Sequence, residues 1–263
     1  MSCTLPPEIL DLIVDHLRNE PAALKACCLV SKSWIPRTRN HLFARVTFDT
    51  SKLHVELWKK TFPDPPNSPA HHTRKLTVYG IPVVNVPGTD VGGWIQTFHN
   101  VVHLELSHLN RASLIPFHGS LPAVRSLRLN YSTTDVFDLV CSFLLLEDLA
   151  LVALYPESDT DEWNIPSTSP NLTGSLSLWM FGKTRYAVPQ LLDLPGGLHF
   201  SEISAMFFNT EVDLVVGLVS RCSDTLESLS LAYCPSGKFV PVPMTTQYLI
   251  AARRRWDAPD HYV

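Results

Sequence analysis

Val101-Val102-His103-Leu104-Glu105-Leu106 and Val124-Arg125-Ser126-Leu127-Arg128-Leu129 state one pattern twice in close succession. An apolar residue is followed two positions later by another, and in both copies a third stands three positions before the pair. Alternation with period two is the signature of a strand with one buried face. The pair recurs along the chain as Leu76-Thr77-Val78, Leu104-Glu105-Leu106, Leu127-Arg128-Leu129, Leu149-Ala150-Leu151, Leu176-Ser177-Leu178, Met206-Phe207-Phe208 and Leu229-Ser230-Leu231. The intervals between first residues are 28, 23, 22, 27, 30 and 23. Val101, Val124, Leu146, Ile203 and Leu226 supply the leading apolar residue, whereas Thr73 and Thr173 break the rule.

Recurrence of apolar-x-x-Leu-x-Leu at intervals of this size is the leucine-rich pattern. One such unit cannot bury its leucines alone. Neighbouring units therefore stack, each giving a short parallel strand and a return segment, and the stack curves into a solenoid. The paired apolar residues point into the core, and the residues between and beside them point to the concave face. That face is expected to carry Lys75, Thr77 and Tyr79, then His103, Glu105 and Ser107, then Ser126, Arg128 and Asn130. It continues through Asp148, Ala150 and Val152, Ser175, Ser177 and Trp179, Phe207 and Asn209, and Ser228, Ser230 and Ala232. Tyr79, Trp179 and Phe207 are the candidate aromatic anchors of that face, and Glu105 and Arg128 its candidate charged contacts.

Upstream of the repeats the period changes from two to about four. Ile9, Ile13 and Leu17 fall on one stripe of a helix over residues 4–18, with Pro6 at its first turn. Asn19-Glu20-Pro21 breaks that helix and starts a second over residues 21–30. This one is apolar on most sides and is expected to be the buried member of the group. Ser31 is placed to cap a third helix carrying Trp34, Ile35, Leu42 and Phe43, with Pro36 near its start. A unit this small has too little interior for all these side chains, and exposed apolar helix surface points to a partner protein.

Pro63, Pro65, Pro66 and Pro69 exclude helix and central strand, so residues 61–72 read as a linker between elements. The expected organisation is a helical domain over 1–48, a connecting helix and proline-rich linker over 49–72, the repeats over 73–237 and an atypical tail over 238–263. The repeat pattern stops near Lys238. The tail reads equally as a poor cap, a disordered end or the mark of a truncated chain.

The 263 residues are 45% hydrophobic and 17% charged, with a net charge of −4. This is the composition of a folded globular chain, without the basic excess of a nucleic-acid or membrane-surface protein. No apolar run is long enough to span a bilayer. Met1-Ser2-Cys3-Thr4 lacks the basic start and apolar core of a signal peptide, so the expected location is intracellular, in cytoplasm or nucleus. The six cysteines are Cys3, Cys27, Cys28, Cys141, Cys222 and Cys234. They show no Cys-x-x-Cys and read as reduced thiols. Asn130-Tyr131-Ser132 and Asn171-Leu172-Thr173 would matter as sequons only in a secreted chain.

The N-terminal segment resembles the F-box over residues 4–46. The residues that carry the resemblance are Leu5, Pro6, Glu8, Ile9, Ile13, Leu17, Leu24, Leu29, Val30, Ser31 and Trp34. Both ends of the family's pattern stand at the right separation, and Cys27-Cys28 departs from it. An F-box followed by irregular leucine-rich repeats is similar to many fungal F-box proteins. The resemblance implies an α+β chain: a small three-helix F-box, then an α/β leucine-rich-repeat solenoid with short parallel strands. It also implies a non-catalytic substrate receptor of a cullin-RING ubiquitin ligase of SCF type. The F-box would dock on a Skp-family adaptor and through it reach a cullin. Leu5, Pro6, Ile9, Ile13 and Leu17 would form much of that contact, with Leu24, Leu29, Val30 and Trp34 shared between contact and core. Glu8 favours the first helix through its dipole. The alternative is an F-box scaffold or truncated repeat protein that binds the adaptor without directing ubiquitination.

Catalytic and metal-binding patterns are incomplete. Gly182-Lys183-Thr184 lacks the first glycine of a phosphate loop, since Ser177 stands in its place. There is no Gly-x-Ser-x-Gly elbow. His99, His103 and His108 would share a face only on a helix, whereas His103 reads as strand. Asp159-Thr160-Asp161-Glu162 lacks the oxygen spacing and turn glycine of a calcium loop. Arg253-Arg254-Arg255 is short for a targeting signal. The reading is therefore a binding protein without enzyme activity, cofactor or metal.

Overall fold

A computed structural model describes residues 6–49, 54–80, 91–109, 111–131, 137–154, 169–179, 187–207, 211–233 and 240–242. Its frame is an α/β arrangement around one sheet. Eight parallel strands lie side by side in chain order: β1 (Arg45–Asp49), β2 (Lys75–Tyr79), β3 (His103–Ser107), β4 (Ser126–Asn130), β5 (Asp148–Val152), β6 (Ser175–Trp179), β7 (Glu202–Phe207) and β8 (Ser228–Tyr233). A ninth, β9 (Val240–Val242), pairs antiparallel with β8. Three helices, α1 (Pro7–His16), α2 (Pro21–Val30) and α3 (Ile35–Leu42), precede the sheet, and α4 (His54–Thr61) follows β1. The return segments carry α5 (Val91–Ile95), α6 (Arg111–Leu114), α7 (Phe137–Ser142), α8 (Ala187–Leu192) and α9 (Val212–Arg221).

Two rows of side chains run across the strands on one face and make the core. Leu76, Leu104, Leu127, Leu149, Leu176, Ile203 and Leu229 are in register, as are Val78, Leu106, Leu129, Leu151, Leu178, Ala205 and Leu231. All are buried. A third row lies under the residues before the strands, where Val101, Val124, Leu146 and Phe200 are wholly enclosed. The backbone repeats as faithfully as the side chains. The Arg74 carbonyl accepts N–H groups from Val102 and His103, that of Val102 from Arg125 and Ser126, and that of Arg125 from Glu147 and Asp148. Ser201 does the same for Glu227 and Ser228. At the other end of the strands Gly80, His108, Tyr131 and Ala153 all have positive φ, of 107°, 58°, 51° and 49°. The N–H of His108 donates to Asn130 O at 2.9 Å, and that of Tyr131 to Val152 O at 2.9 Å. The ladder thus extends one residue past each strand, through a conformation that only glycine adopts without cost.

Several expectations change. The pair at Val46 and Phe48 is an additional copy of the pattern, in register with Leu76 and Val78. Its valine and phenylalanine hid it from a search for leucine. β1 also lies across the boundary drawn at residue 48. The copy placed at Met206-Phe207-Phe208 is shifted: Ile203, Ala205 and Phe207 face the core, and Met206 is half-buried on the opposite face. With Ile203 as its first residue, the copy falls almost midway between Leu176 and Leu229, and the uneven intervals of the last repeats disappear. The physical reason for the misreading is that a slip of one residue turns every side chain to the other face, and the aromatic run 207–208 outweighed isoleucine and alanine. The proline-rich stretch forms short 3-10 turns, Pro65–Asn67 and Pro69–His72, with Ser68, Pro69 and Ala70 buried. It joins α4 to β2 without α-helix or strand, as expected, and packs through residues 68–70. Three residues of the tail, Val240 to Val242, extend the sheet. The rest of the tail, residues 238–239 and 243–263, lies outside the described residues, as do Leu5, Cys3, Cys234, Phe208 and Asn209, together with residues 155–168 and 180–186 that hold the acidic run and Gly182-Lys183-Thr184.

One aromatic cluster closes the β1 end of the core. Phe48 meets Trp94 at 4.9 Å, Trp58 at 5.5 Å and Phe98 at 5.8 Å between ring centres, all near-perpendicular. Trp58 also meets Phe43, just after α3, at 6.0 Å. Edge-to-face pairs of this kind add to the area they bury.

The placement of the rows makes a stability prediction. Leu129→Ala is expected to lower the unfolding free energy by about 2–5 kcal/mol. Leu144→Ala, at a site that is exposed despite its apolar type, should stay within about 0.5 kcal/mol. Urea titration of both variants separates the two cases, and equal losses would contradict the assigned register.

Candidate partner-binding surfaces

The helical unit is held by polar contacts around a small interior. Arg37 of α3 grips the Asp15 carboxylate of α1 with two hydrogen bonds, Nε to Oδ1 at 2.6 Å and Nη2 to Oδ2 at 2.5 Å. His41 Nε2 lies 2.7 Å from the same Oδ1. The Arg37 and His41 hydrogen bonds hold the Asp15 carboxyl well below the usual carboxylate range, and the Arg37 guanidinium is raised in turn. Thr38 is fully buried between helices, donating to Trp34 O at 2.7 Å and touching Cys28 Sγ at 3.0 Å. Ser31, expected to cap the third helix, caps instead the 3-10 turn Lys32–Trp34 that leads into it, its Oγ accepting from Ser33 N–H at 3.3 Å; α3 itself begins after Trp34, which makes no side-chain cap.

The apolar residues of α1 divide into two stripes. Val14 is buried with Leu10 and Leu17 half-buried beside it in the pattern, while Ile9, Leu12 and Ile13 face outward. Of the stripe read from sequence, Ile9 and Ile13 are thus exposed and Leu17 belongs to the inner one. Leu12, which is 64% exposed, was missed, although its spacing of three from Ile9 places it on the same side. Pro6 is exposed at the start of α1, where its carbonyl accepts from Ile9 and Leu10, and Glu8 is exposed in the first turn. The expectation that α2 is the buried helix is overturned. Leu24 and Cys27 alone are buried on it, and Leu29 and Val30 are 89% and 70% exposed. With two short neighbours, a helix apolar on all sides has only one side to hide. Trp34, in the turn that joins α2 to α3, is half-buried.

The open face of the sheet brings Glu105 and Arg128 together. Lys75 Nζ is 3.3 Å from Glu105 Oε2, and Arg128 Nε is 3.7 Å from Glu105 Oε1. Asn130 Nδ2 donates to Glu105 Oε1 and to Ser107 Oγ, both at 3.1 Å, and its Oδ1 accepts from Arg128 Nε at 3.1 Å. One carboxylate thus orders two cations and an amide across β2, β3 and β4. Tyr79 and Trp179 are exposed on the row at the ends of the strands. Phe207, expected beside them, is buried on the core side and is withdrawn from the face. Val152 is on the open row yet buried. A stacked pair was not foreseen: His108 and Tyr131 lie with ring centres 4.8 Å apart and planes at 1°. Nothing in their residue types announces the left-handed turns that align them.

Among the described residues, no three His, Cys, Asp or Glu side chains converge as a metal ion requires. Cys141 and Cys222 are buried, and burial pushes the Cys141 thiol up to about 11 and that of Cys222 upward as well, which suppresses the thiolate. No helix among the described residues is long and apolar enough to cross a membrane. No protein-family model and no curated protein matches the chain.

A carboxyl lowered on folding stabilises the fold above its unfolded pKa, and the benefit is lost as pH falls through the lowered value. Asp15→Asn is therefore expected to reduce the thermal midpoint by a few degrees at pH 7. The gap between variant and parent should narrow below about pH 4, where the unfolded carboxyl is protonated. Melts followed at pH 7 and pH 3 test this, and a gap that widened in acid would reverse the assigned role.

Proposed function

We propose that the chain is a substrate-receptor subunit of an SCF-type cullin-RING ubiquitin ligase. In this reading α1–α3 are an F-box that docks on a Skp-family adaptor, and the stacked strand units are a leucine-rich-repeat solenoid that holds the substrate protein. The observation that carries it is the outward apolar set Ile9, Leu12, Ile13, Leu29 and Val30, on helices too small to enclose them. Exposed aliphatic side chains cost nothing to remove from the fold and gain about 1.5–3 kcal/mol each when a partner covers them fully. The strand units support the other half of the reading. They form a broad, preformed face whose side chains are fixed by register and not by loop conformation. Such a receptor makes no bond itself. Holding a substrate beside a charged enzyme raises the local concentration of its lysines, which is where the acceleration arises.

The test is binding of the purified chain to a Skp-family adaptor, with Leu12→Asp and Leu29→Asp beside the parent. Each substitution sits at an exposed site, so the thermal midpoint should hold while affinity falls about tenfold or more. Leu144→Asp, exposed on a return segment of the sheet, should leave affinity unchanged. A well-folded parent that shows no adaptor binding by calorimetry would sink the assignment.

A further inference from the structure

The aromatic cluster at β1 closes the core but leaves the main chain of that strand open. Just before β1, the Ala44 carbonyl accepts the N–H groups of Arg74 and Lys75, so it points toward β2. Main-chain groups alternate in direction along a strand, and those of Arg45, Thr47 and Asp49 therefore point away from the sheet. At Asp49 this is seen directly, since its N–H donates to His54 Nδ1 at 3.2 Å. The N–H and C=O groups of Arg45 and Thr47 have no partner among the described residues. They are the unpaired edge of a sheet whose strands are otherwise paired in order.

That edge lines a groove of about 360 Å³ shared with α4. Leu57, Trp58 and Thr61 stand three and four positions apart, on the one side of α4 that faces the strand. Phe43 and Phe62 add aromatic surface. Trp58 is turned inward against Phe48, but Leu57 is 57% exposed. The charge beside the groove is positive and unspent. Arg45 is exposed on its lining and has no ion-pair partner among the described residues. Lys75, next to it in register, is already drawn to Glu105. Of the nearby carboxylates, Asp49 is buried at the far end of β1 and Glu56 pairs with Lys59.

We infer that the outer edge of β1 accepts an extended segment of a partner protein as an added strand, with an apolar side chain in the groove beside Leu57 and an adjacent acidic residue against Arg45. The unpaired main chain decides the kind of occupant, because a strand satisfies an open edge and a helix does not. In the parallel register of the sheet, the segment's residue opposite Val46 donates to the Arg45 carbonyl and accepts from the Thr47 N–H. Its side chain then lies on the same side as Val46, toward α4. The neighbouring residue, opposite Arg45, stands on the open face, where a carboxylate meets the guanidinium. The bond from Asp49 to His54 ends the open edge there, so the added strand is short. A second copy of the chain is the poorer occupant. The other edge of the sheet ends among the described residues on β9, three residues with a proline, which offers little strand for head-to-tail joining. The inference stands without the ligase reading.

The experiment is selection of a displayed library of random linear peptides on the full chain, followed by calorimetry of selected peptides on the parent, Leu57→Asp and Arg45→Glu. Both sites are exposed, so the thermal midpoint should hold. The enriched peptides are expected to share an apolar residue next to aspartate or glutamate, and to bind either variant about tenfold more weakly or worse. An N-methyl scan along one selected peptide then tests the main chain without altering the protein. Blocking every second amide N–H should weaken binding about tenfold, and blocking the amides between them should not. No enrichment, equal binding to either variant, apolar residues at helical spacing in the selected peptides, or a scan without alternation would overturn the inference. A parent dimer in sedimentation that Leu57→Asp dissociates would overturn it too, since a second copy would then cover the edge.

Discussion

The registered burial of two apolar side chains per strand is the constraint on which the rest of the structure depends. Leu127 and Leu129 have no interior of their own, and each is enclosed only because Leu104 and Leu106 lie on one side and Leu149 and Leu151 on the other. A parallel sheet in chain order follows from that need, since it keeps like residues of successive units adjacent. The backbone pattern then becomes obligatory. Carbonyls such as those of Arg74, Val102 and Arg125 each accept two N–H groups from the following unit, which ties one unit to the next. Stability in such an array is a sum over neighbours, so each end needs its own solution.

The two ends are solved differently. At β1 the core runs into aromatic rings from three elements, and Phe43 links this cluster to the end of α3. The helical unit is therefore seated on the sheet through large rings, while its own helices are tied by Asp15, Arg37 and His41. That division frees the aliphatic residues of α1 and α2 from a structural duty. Leu29 and Val30 can face water because Thr38, Leu24, Cys27 and Val14 fill what little interior there is.

Much of the fold was legible because it is periodic. The pairs from Leu76-Thr77-Val78 to Leu176-Ser177-Leu178, and Leu229-Ser230-Leu231, lie on the strands assigned to them, and Pro36 stands in the first turn of the third helix. The misreadings have local causes. Val46-Thr47-Phe48 lacked leucine, and Met206-Phe207-Phe208 offered a more apolar register than Ile203-Ser204-Ala205, although even spacing between Leu176 and Leu229 favoured the latter. Of the candidate surfaces, residue type alone placed Ile9, Ile13, Glu105, Arg128 and Trp179. It did not show that Leu17 and Phe207 turn inward, because a one-sided helix or strand reveals its period and not which of two apolar sides is covered. The neutralisation of Glu105 by two cations was likewise invisible, since Lys75 and Arg128 come from different strands, one repeat before it and one after.

The short strand after β8 has a meaning for solubility. A parallel sheet leaves a row of unsatisfied N–H and C=O groups on its last strand, a template on which a foreign strand can grow. Val240, Pro241 and Val242 lie against that row in the opposite direction. Being short and lacking one N–H at Pro241, the outermost of the described strands offers a broken template in place of a continuous one. Among the described residues the sheet thus ends on a segment that can accept little further growth, which guards the stack against joining other copies edge to edge.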